Sequence, residues 1–157
     1  MKLYHGSNLK VIEINLEISL PYKDFGKGFY LSDSKDQALE MAKFKATQLG
    51  GNPEISVFEF DIDGLKSSNL TTKFFEEYSE EWVDFIIQNR MTGDAHNYDF
   101  VYGPIANDKV GRALRLFSDK DISKEQLIEK LKYFKGITFQ YYFGTENALQ
   151  FLRSIEI

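Results

Sequence analysis

The sequence predicts an α+β fold, and three observations carry that expectation. Apolar and polar residues alternate over 55–62 and 137–143, the period of a half-buried strand, whereas over 35–49 and 73–90 apolar residues recur at helical spacing. The two kinds of segment follow one another without the regular βαβ alternation of a doubly wound sheet. The chain has 157 residues, 43% hydrophobic and 27% charged, with no repeat or low-complexity linker, so residues 1–157 are expected to form a single domain.

From the N-terminus, Met1 to His5 is a short apolar strand ending in the turn-prone His5-Gly6-Ser7-Asn8. Residues 9–24 mix apolar and acidic residues around Pro21, the pattern of an irregular surface excursion. Phe25 to Leu31 is a bend containing Gly26 and Gly28 that enters a strand. Ser34 and Gln37 have capping-box spacing, and Ala38, Ala42, Ala46 and Leu49 follow at helical intervals before Gly50-Gly51, so a helix is expected over 35–49. Phe58, Phe60 and Ile62 alternate with Glu59 and Asp61, which predicts a strand over 55–62.

Between 73 and 90, apolar residues at 74, 75, 78, 82, 85 and 86 oppose Glu76, Glu77, Glu80, Glu81 and Asp84. This predicts an amphipathic helix, with Trp82 in the core and the acids on the solvated face. Tyr98 to Gly103 reads as a strand stopped at Pro104, which has no ladder donor; residues 104–120 fit neither period. Ser123 and Gln126 repeat the capping-box spacing before a helix with Leu127, Ile128, Leu131 and Phe134 on its apolar face and Gly136 at its end. Ile137 to Phe143 alternates, with Thr138, Gln140 and Tyr142 on one face, and Thr145 caps a last helix through Ala148, Leu149 and Leu152.

Composition narrows the function. Cysteine is absent, which excludes disulfides, thiolate zinc sites and a cysteine nucleophile; His5 and His96 are the two histidines, too few for a histidine-rich centre, and no metal is expected. Lysine plus arginine (19) against aspartate plus glutamate (24) gives −5 without a basic stripe, so long nucleic acid is not an expected partner. No apolar run approaches a membrane span, and Glu13 and Glu17 stand where a secretory signal would be apolar, so a cytoplasmic protein off the membrane is expected. Aromatics, at 15%, exceed what a core of this size needs, which suggests that some rings line a cleft.

Three short pieces carry chemistry: Leu3-Tyr4-His5-Gly6-Ser7, Phe25-Gly26-Lys27-Gly28-Phe29-Tyr30 and Thr138-Phe139-Gln140-Tyr141-Tyr142-Phe143. Singly, each has an ordinary structural reading: a satisfied histidine at a strand end, a turn, a solvent-facing glutamine. Together and in this order they resemble the ADP-ribosyltransferase superfamily, in its poly-ADP-ribose-polymerase-like and diphtheria-toxin-like branch. That branch is marked by a His-Tyr-Glu triad on three strands, a His-Gly-Ser or His-Gly-Thr first motif and a Phe-Gly-Lys-Gly-x-Tyr second motif. Its third motif begins a strand with an acid; here Gln140 takes that position, so the triad reads His-Tyr-Gln. The chain is also similar to a bacterial group assigned to that fold, which shares the stretch from Tyr98-Asp99 to Gly103-Pro104-Ile105-Ala106-Asn107-Asp108. Some of that group resemble toxins encoded beside small antitoxin proteins.

The resemblance implies a split, two-sheet cleft flanked by helices and NAD as substrate. It implies that His5 bonds the adenosine ribose, the Gly6 backbone grips the nicotinamide carboxamide, and Tyr30 stacks on the nicotinamide ring. Ser7 and Gly28 join them in the binding motifs, and Gln140 bonds the 2′-hydroxyl of the nicotinamide ribose. Activity would be mono-ADP-ribosyl transfer to an unidentified acceptor, with a small antitoxin as a partner; the alternatives are an NAD- or ADP-ribose-binding module without turnover and an NAD glycohydrolase. Replacing Tyr30 with alanine is expected to weaken NAD binding and leave the fold intact. Asp99 either orients a cleft group or bonds a loop, Asp108 reads as a turn residue, Glu146 as a first-turn acid or a substitute for the missing charge, and His96 as a surface histidine.

Overall fold

A computed structural model describes residues 1–133 and 135–155. Along the chain these form β1 (Lys2–Ser7), a 3-10 turn (Leu16–Ile18), β2 (Phe29–Ser32), α1 (Lys35–Leu49), β3 (Glu54–Phe60), α2 (Ile62–Lys66) and β4 (Thr72–Phe74). There follow α3 (Glu80–Thr92), β5 (Phe100–Pro104), α4 (Val110–Ser118), α5 (Lys124–Leu131), β6 (Phe139–Phe143), α6 (Glu146–Leu149) and β7 (Leu152–Ile155). The strands make one seven-stranded sheet in the order β4-β5-β6-β2-β1-β3-β7, antiparallel except for the β4–β5 pair. The fold is α+β, as the sequence pattern predicts.

The sheet is nearly divided at its middle. β1 pairs with β3 over six residues and β2 with β6 over four, yet β1 and β2 meet at one pair, Tyr4 with Ser32. Beyond that pair, His5 to Ser7 and Phe29 to Tyr30 diverge. The halves expected as two sheets are therefore one sheet with a single link, and the gap opens at the end where the first two motifs lie.

Alternation assigns each side chain to a face. On the back, Leu3, Phe29, Leu31, Phe58, Phe60, Phe100, Tyr141 and Phe143 form a core with Leu65 of α2 and Ala148 of α6. On the front, Val101 and Tyr142 pack with Phe25, Phe75 and residues of α3, α4 and α5, including Trp82, Val83, Ile86, Val110 and Leu127. The front of β1 is covered by α1, which Gly6 admits at backbone contact: a Cβ there would lie 1.8 Å from the Ala38 carbonyl oxygen and 2.9 Å from the Ala42 nitrogen. The excess of rings goes largely into these two cores, where Phe25, Phe60, Phe100 and Tyr142 each contact several others at 5–6.5 Å, and not into an open cleft.

Several boundaries differ from expectation. β1 runs on through Gly6 and Ser7, because Ile55 and Glu54 of β3 pair with both and draw the turn-prone residues into the ladder. The helix expected over 73–90 begins at Glu80, capped by the Ser79 hydroxyl on the Trp82 amide, and Thr72–Phe74 instead pairs with β5. Ile62 leaves the strand to start α2, capped by Asp61. The helix after Ser123 ends at Leu131, before Gly136; Phe134, expected on its face, lies outside the described residues. Leu152 begins β7 against β3 and does not extend α6. Residues 110–118 form α4, whose preceding residue Lys109 gives no side-chain cap.

Candidate functional site

His5, Tyr30 and Gln140 stand on β1, β2 and β6, which are neighbours in the sheet. Ser32 pairs with both Tyr4 and Gln140, and Tyr30 pairs with Tyr142. Tyr30 and Gln140 thus share the front face as a diagonal pair, roughly 7–8 Å apart.

His5 spans the gap beside the single link. Its Nδ1 lies 2.8 Å from the Tyr30 carbonyl oxygen and its ring stacks on Phe29 at 4.4 Å. A carbonyl only accepts, so Nδ1 carries the hydrogen and Nε2 keeps a lone pair, able to accept from a hydroxyl. Burial, opposed by that backbone bond and reinforced by the charges of Lys45 and Lys23, lowers the His5 pKa to about 4 from 6.5. The imidazole is neutral across the physiological range.

This shift has a sign that can be measured. Between pH 6.5 and about 4 the unfolded chain takes a proton at His5 that the folded chain refuses, so stability falls as pH falls through that window. The loss attributable to His5 is about 2–3 kcal/mol at the acid end. Urea unfolding at pH 7 and pH 4.5 should show this drop reduced by that amount in His5→Asn, and an identical drop in both proteins would place His5 in water.

Tyr30 is held at both ends of its side chain. The hydroxyl donates to the Gly26 carbonyl oxygen at 2.5 Å and accepts from the Phe25 amide at 3.1 Å, while the ring meets Tyr142 edge-on at 5.2 Å. Burial, with the Asp24 carboxylate, holds the phenol well above its ordinary pKa. Lys23 Nζ stands 5.5 Å from the ring centroid. Gly28 serves the same packing, since a Cβ there would come within 2.2 Å of the Tyr142 ring. Ser7 closes β1 and sits 3.4 Å from the Asn8 side chain.

Gln140 contributes an unusual feature. Its Nε2 and the Thr138 Oγ1, two residues earlier on the same face, are buried without a hydrogen-bond partner among the described residues. Leaving a buried donor unpaired costs about 1–3 kcal/mol, which a ligand acceptor would recover. The connection from α5 to β6 reaches across to α1, where the Tyr133 hydroxyl donates to Glu40 Oε2 at 3.0 Å and Lys135 pairs with Glu40 at 3.2 Å. Two cavities lie elsewhere. One of about 640 Å³ is lined by Ile87, Met91, Leu114, Phe117 and Ile122, the other of about 480 Å³ by Glu17, Asp94, His96 and Thr145 together with Lys27 of the second motif and Tyr142 of the third; His5, Tyr30 and Gln140 line neither.

The remaining candidates resolve by their contacts. Asp99 accepts from the Thr71 amide and hydroxyl and from Thr145; burial raises its pKa, but these bonds outweigh it and leave the carboxyl below the usual range. It ties β5 to two loops. Glu146 is exposed in the first turn of α6, beyond the opposite end of β6, and so supplies no charge beside Gln140. Asp108 lies in the turn before α4. His96 is not a surface histidine: Nε2 donates to the Phe25 carbonyl oxygen at 2.6 Å, Nδ1 accepts from the Tyr98 amide at 2.9 Å, and the ring packs on Phe85 and Tyr142. Asp24, with Arg90 at 2.7 Å, anchors the bend at Phe25 to α3 and was not singled out. No metal-holding group of three or more His, Asp or Glu residues occurs among the described residues, and none of their helices is long and apolar enough to cross a membrane.

The fold and this site define an α+β protein with polar groups gathered across a nearly divided sheet. Residues 1–154 match the family model described as protein of unknown function (DUF3990), and the chain belongs to that family. Searches of curated proteins and of solved structures returned no match.

Proposed function

We propose that the protein is an NAD-dependent mono-ADP-ribosyltransferase that works through His5, Tyr30 and Gln140. The observation behind this reading is that these residues, from three motifs far apart in sequence, stand on three adjacent strands beside the sheet's single link, with one end of the Gln140 amide buried and unpaired among the described residues. In this reading the Tyr30 ring stacks on nicotinamide, His5 Nε2 accepts from a ribose hydroxyl, and the Gln140 amide bonds the 2′-hydroxyl of the nicotinamide ribose.

The bond between ribose C1′ and the nicotinamide nitrogen breaks, and its electron pair leaves with nicotinamide, which departs neutral. C1′ passes through an oxocarbenium-like state, the acceptor's lone pair forms the new bond, and the acceptor's proton goes to water. Gln140 orients the ribose but brings no negative charge. Relative to a carboxylate this forgoes about 1–3 kcal/mol at the transition state, roughly ten- to a hundredfold in rate. A bacterial toxin held by a small antitoxin protein is the biological setting we propose, with the acceptor unidentified.

Labelled NAD tests the reading. Gln140→Glu should keep or raise turnover, Gln140→Ala should lower it at least tenfold, and neither should change NAD affinity by more than about 1 kcal/mol. Label on a macromolecule marks transfer, free ADP-ribose marks a glycohydrolase, and binding without turnover in every variant marks a binding module. Turnover indifferent to Gln140→Ala would remove Gln140 from the site.

A further inference from the structure

Lys23 and Lys45 approach the gap from two directions. Ala38 and Ala42 are where α1 touches β1, and Lys45 follows them at i+7 and i+3, so it continues the sheet-facing side of the helix toward the open end of the gap. Lys23 comes from the 8–28 connection and lies against the Tyr30 ring. Both are half-buried, and both act on His5 through their charge. Among the described residues neither enters a salt bridge: Asp24, the neighbouring acid, is taken by Arg90 at 2.7 Å. Burial lowers the pKa of each, opposed at Lys23 by the Asp24 carboxylate and reinforced at Lys45 by the charge of Lys23. Two partly desolvated ammonium groups that repel one another are a cost to the folded chain, and such arrangements mark anion sites.

We propose that Lys23 and Lys45 form a subsite for the diphosphate of a dinucleotide, between the positions of its two ribosyl ends. The proposal rests on the NAD reading, in which His5 takes the adenosine ribose and Tyr30 the nicotinamide; the group joining them is a diphosphate, and Lys23 stands beside Tyr30 while the charges of both lysines reach His5. Lys23 has a second part. Its ammonium holds the ring face that a nicotinamidium cation would take, so binding transfers Lys23 from the Tyr30 ring to the diphosphate and frees the ring. The long, flexible lysine stem permits that exchange.

Calorimetric titration of wild type, Lys23→Gln, Lys45→Gln, the double variant and Lys45→Arg tests the proposal, with inorganic pyrophosphate, ADP-ribose, NAD and nicotinamide riboside as probes. The double variant should bind pyrophosphate and ADP-ribose at least tenfold more weakly. Nicotinamide riboside affinity should hold or rise, because Lys23→Gln vacates the Tyr30 ring face, Lys45→Arg should retain pyrophosphate, and added salt should weaken ADP-ribose binding to wild type more than to the double variant. Thermal midpoints should hold or rise, because glutamine removes a desolvated charge.

Equal pyrophosphate affinity in wild type and double variant, or no pyrophosphate binding by wild type, overturns the subsite. A large fall in midpoint with unchanged affinity assigns the lysines to packing and does the same. Lysine-dependent pyrophosphate binding in a protein that binds neither NAD nor ADP-ribose overturns the dinucleotide as occupant, and with it the NAD reading. NAD binding indifferent to both lysines overturns the subsite and leaves that reading standing.

Discussion

Replacing Gly6 with alanine is expected to destabilise the protein by about 3 kcal/mol or more, at or beyond the upper end of overpacking effects. The new Cβ would lie 1.8 Å from the Ala38 carbonyl oxygen and 2.8 Å from its carbon. Those atoms belong to the α1 backbone and cannot rotate aside as a side chain would, so the whole helix must lift from β1. The lift would uncover Ala38 and Ala42 and carry Lys45 away from the gap. Gly111 is the control: nothing lies within 4 Å of a Cβ placed there, and alanine in that helix should gain up to about 1 kcal/mol. Urea midpoints compare the two directly. A Gly6→Ala midpoint equal to that of wild type would show that α1 does not sit on β1 as described.

Tyr30→Ala should cost about 3 kcal/mol of stability and Tyr30→Phe about 1–2 kcal/mol. The alanine variant empties the space between Phe25 and Tyr142 and releases the Gly26 carbonyl and Phe25 amide; the phenylalanine variant loses those two bonds alone. The contacts that Tyr30 makes add a stability cost to Tyr30→Ala beside the loss of NAD affinity. Denaturation separates the two variants, and calorimetry with NAD then reads the ring: Tyr30→Phe should bind within about threefold of wild type, Tyr30→Ala several-fold more weakly, matching a stack of about 1 kcal/mol. Unchanged affinity in a folded Tyr30→Ala protein would take the ring out of the site.

What was legible in the sequence follows physical lines. α1 could be read from end to end because Ser34 caps it and its alanines keep a strict stripe, which the structure reproduces as Lys35–Leu49. The motif residues stood out only as a set, through the resemblance of their order to a known pattern; singly, a histidine at a strand end, a tyrosine after a bend and a glutamine on a strand read as ordinary structural residues. β4 was not, since three residues set no period and Phe74 and Phe75 happen to extend the spacing of Trp82 and Phe85 backwards. β7 failed likewise: four residues at the sheet edge, beginning at a Leu152 that sits at helical distance from Ala148 and Leu149. α4 lacks a side-chain cap at Lys109. Lys23, Lys45 and Asp24 carry no local signal, because their meaning lies in which partners are absent or already taken, and that is a property of three dimensions.

A sheet joined at its middle by one backbone pair bends there first. Behind the Tyr4–Ser32 pair the apolar core is continuous, from Phe58 and Leu3 through Phe29 to Phe143 and Phe100, whereas in front the two halves carry different helices, bridged by the polar contacts of Tyr133 and Lys135 with Glu40. The back therefore serves as a hinge that stays dry while the front widens. Opening by that route breaks one ladder pair, the His5 bond to Tyr30 and the Tyr133 and Lys135 contacts with Glu40 that cross the front, on the order of 1 kcal/mol for each bond. Breathing of this kind belongs to the microsecond-to-millisecond range of hinge motions, so the gap can admit a molecule wider than its resting shape without any element losing its own core.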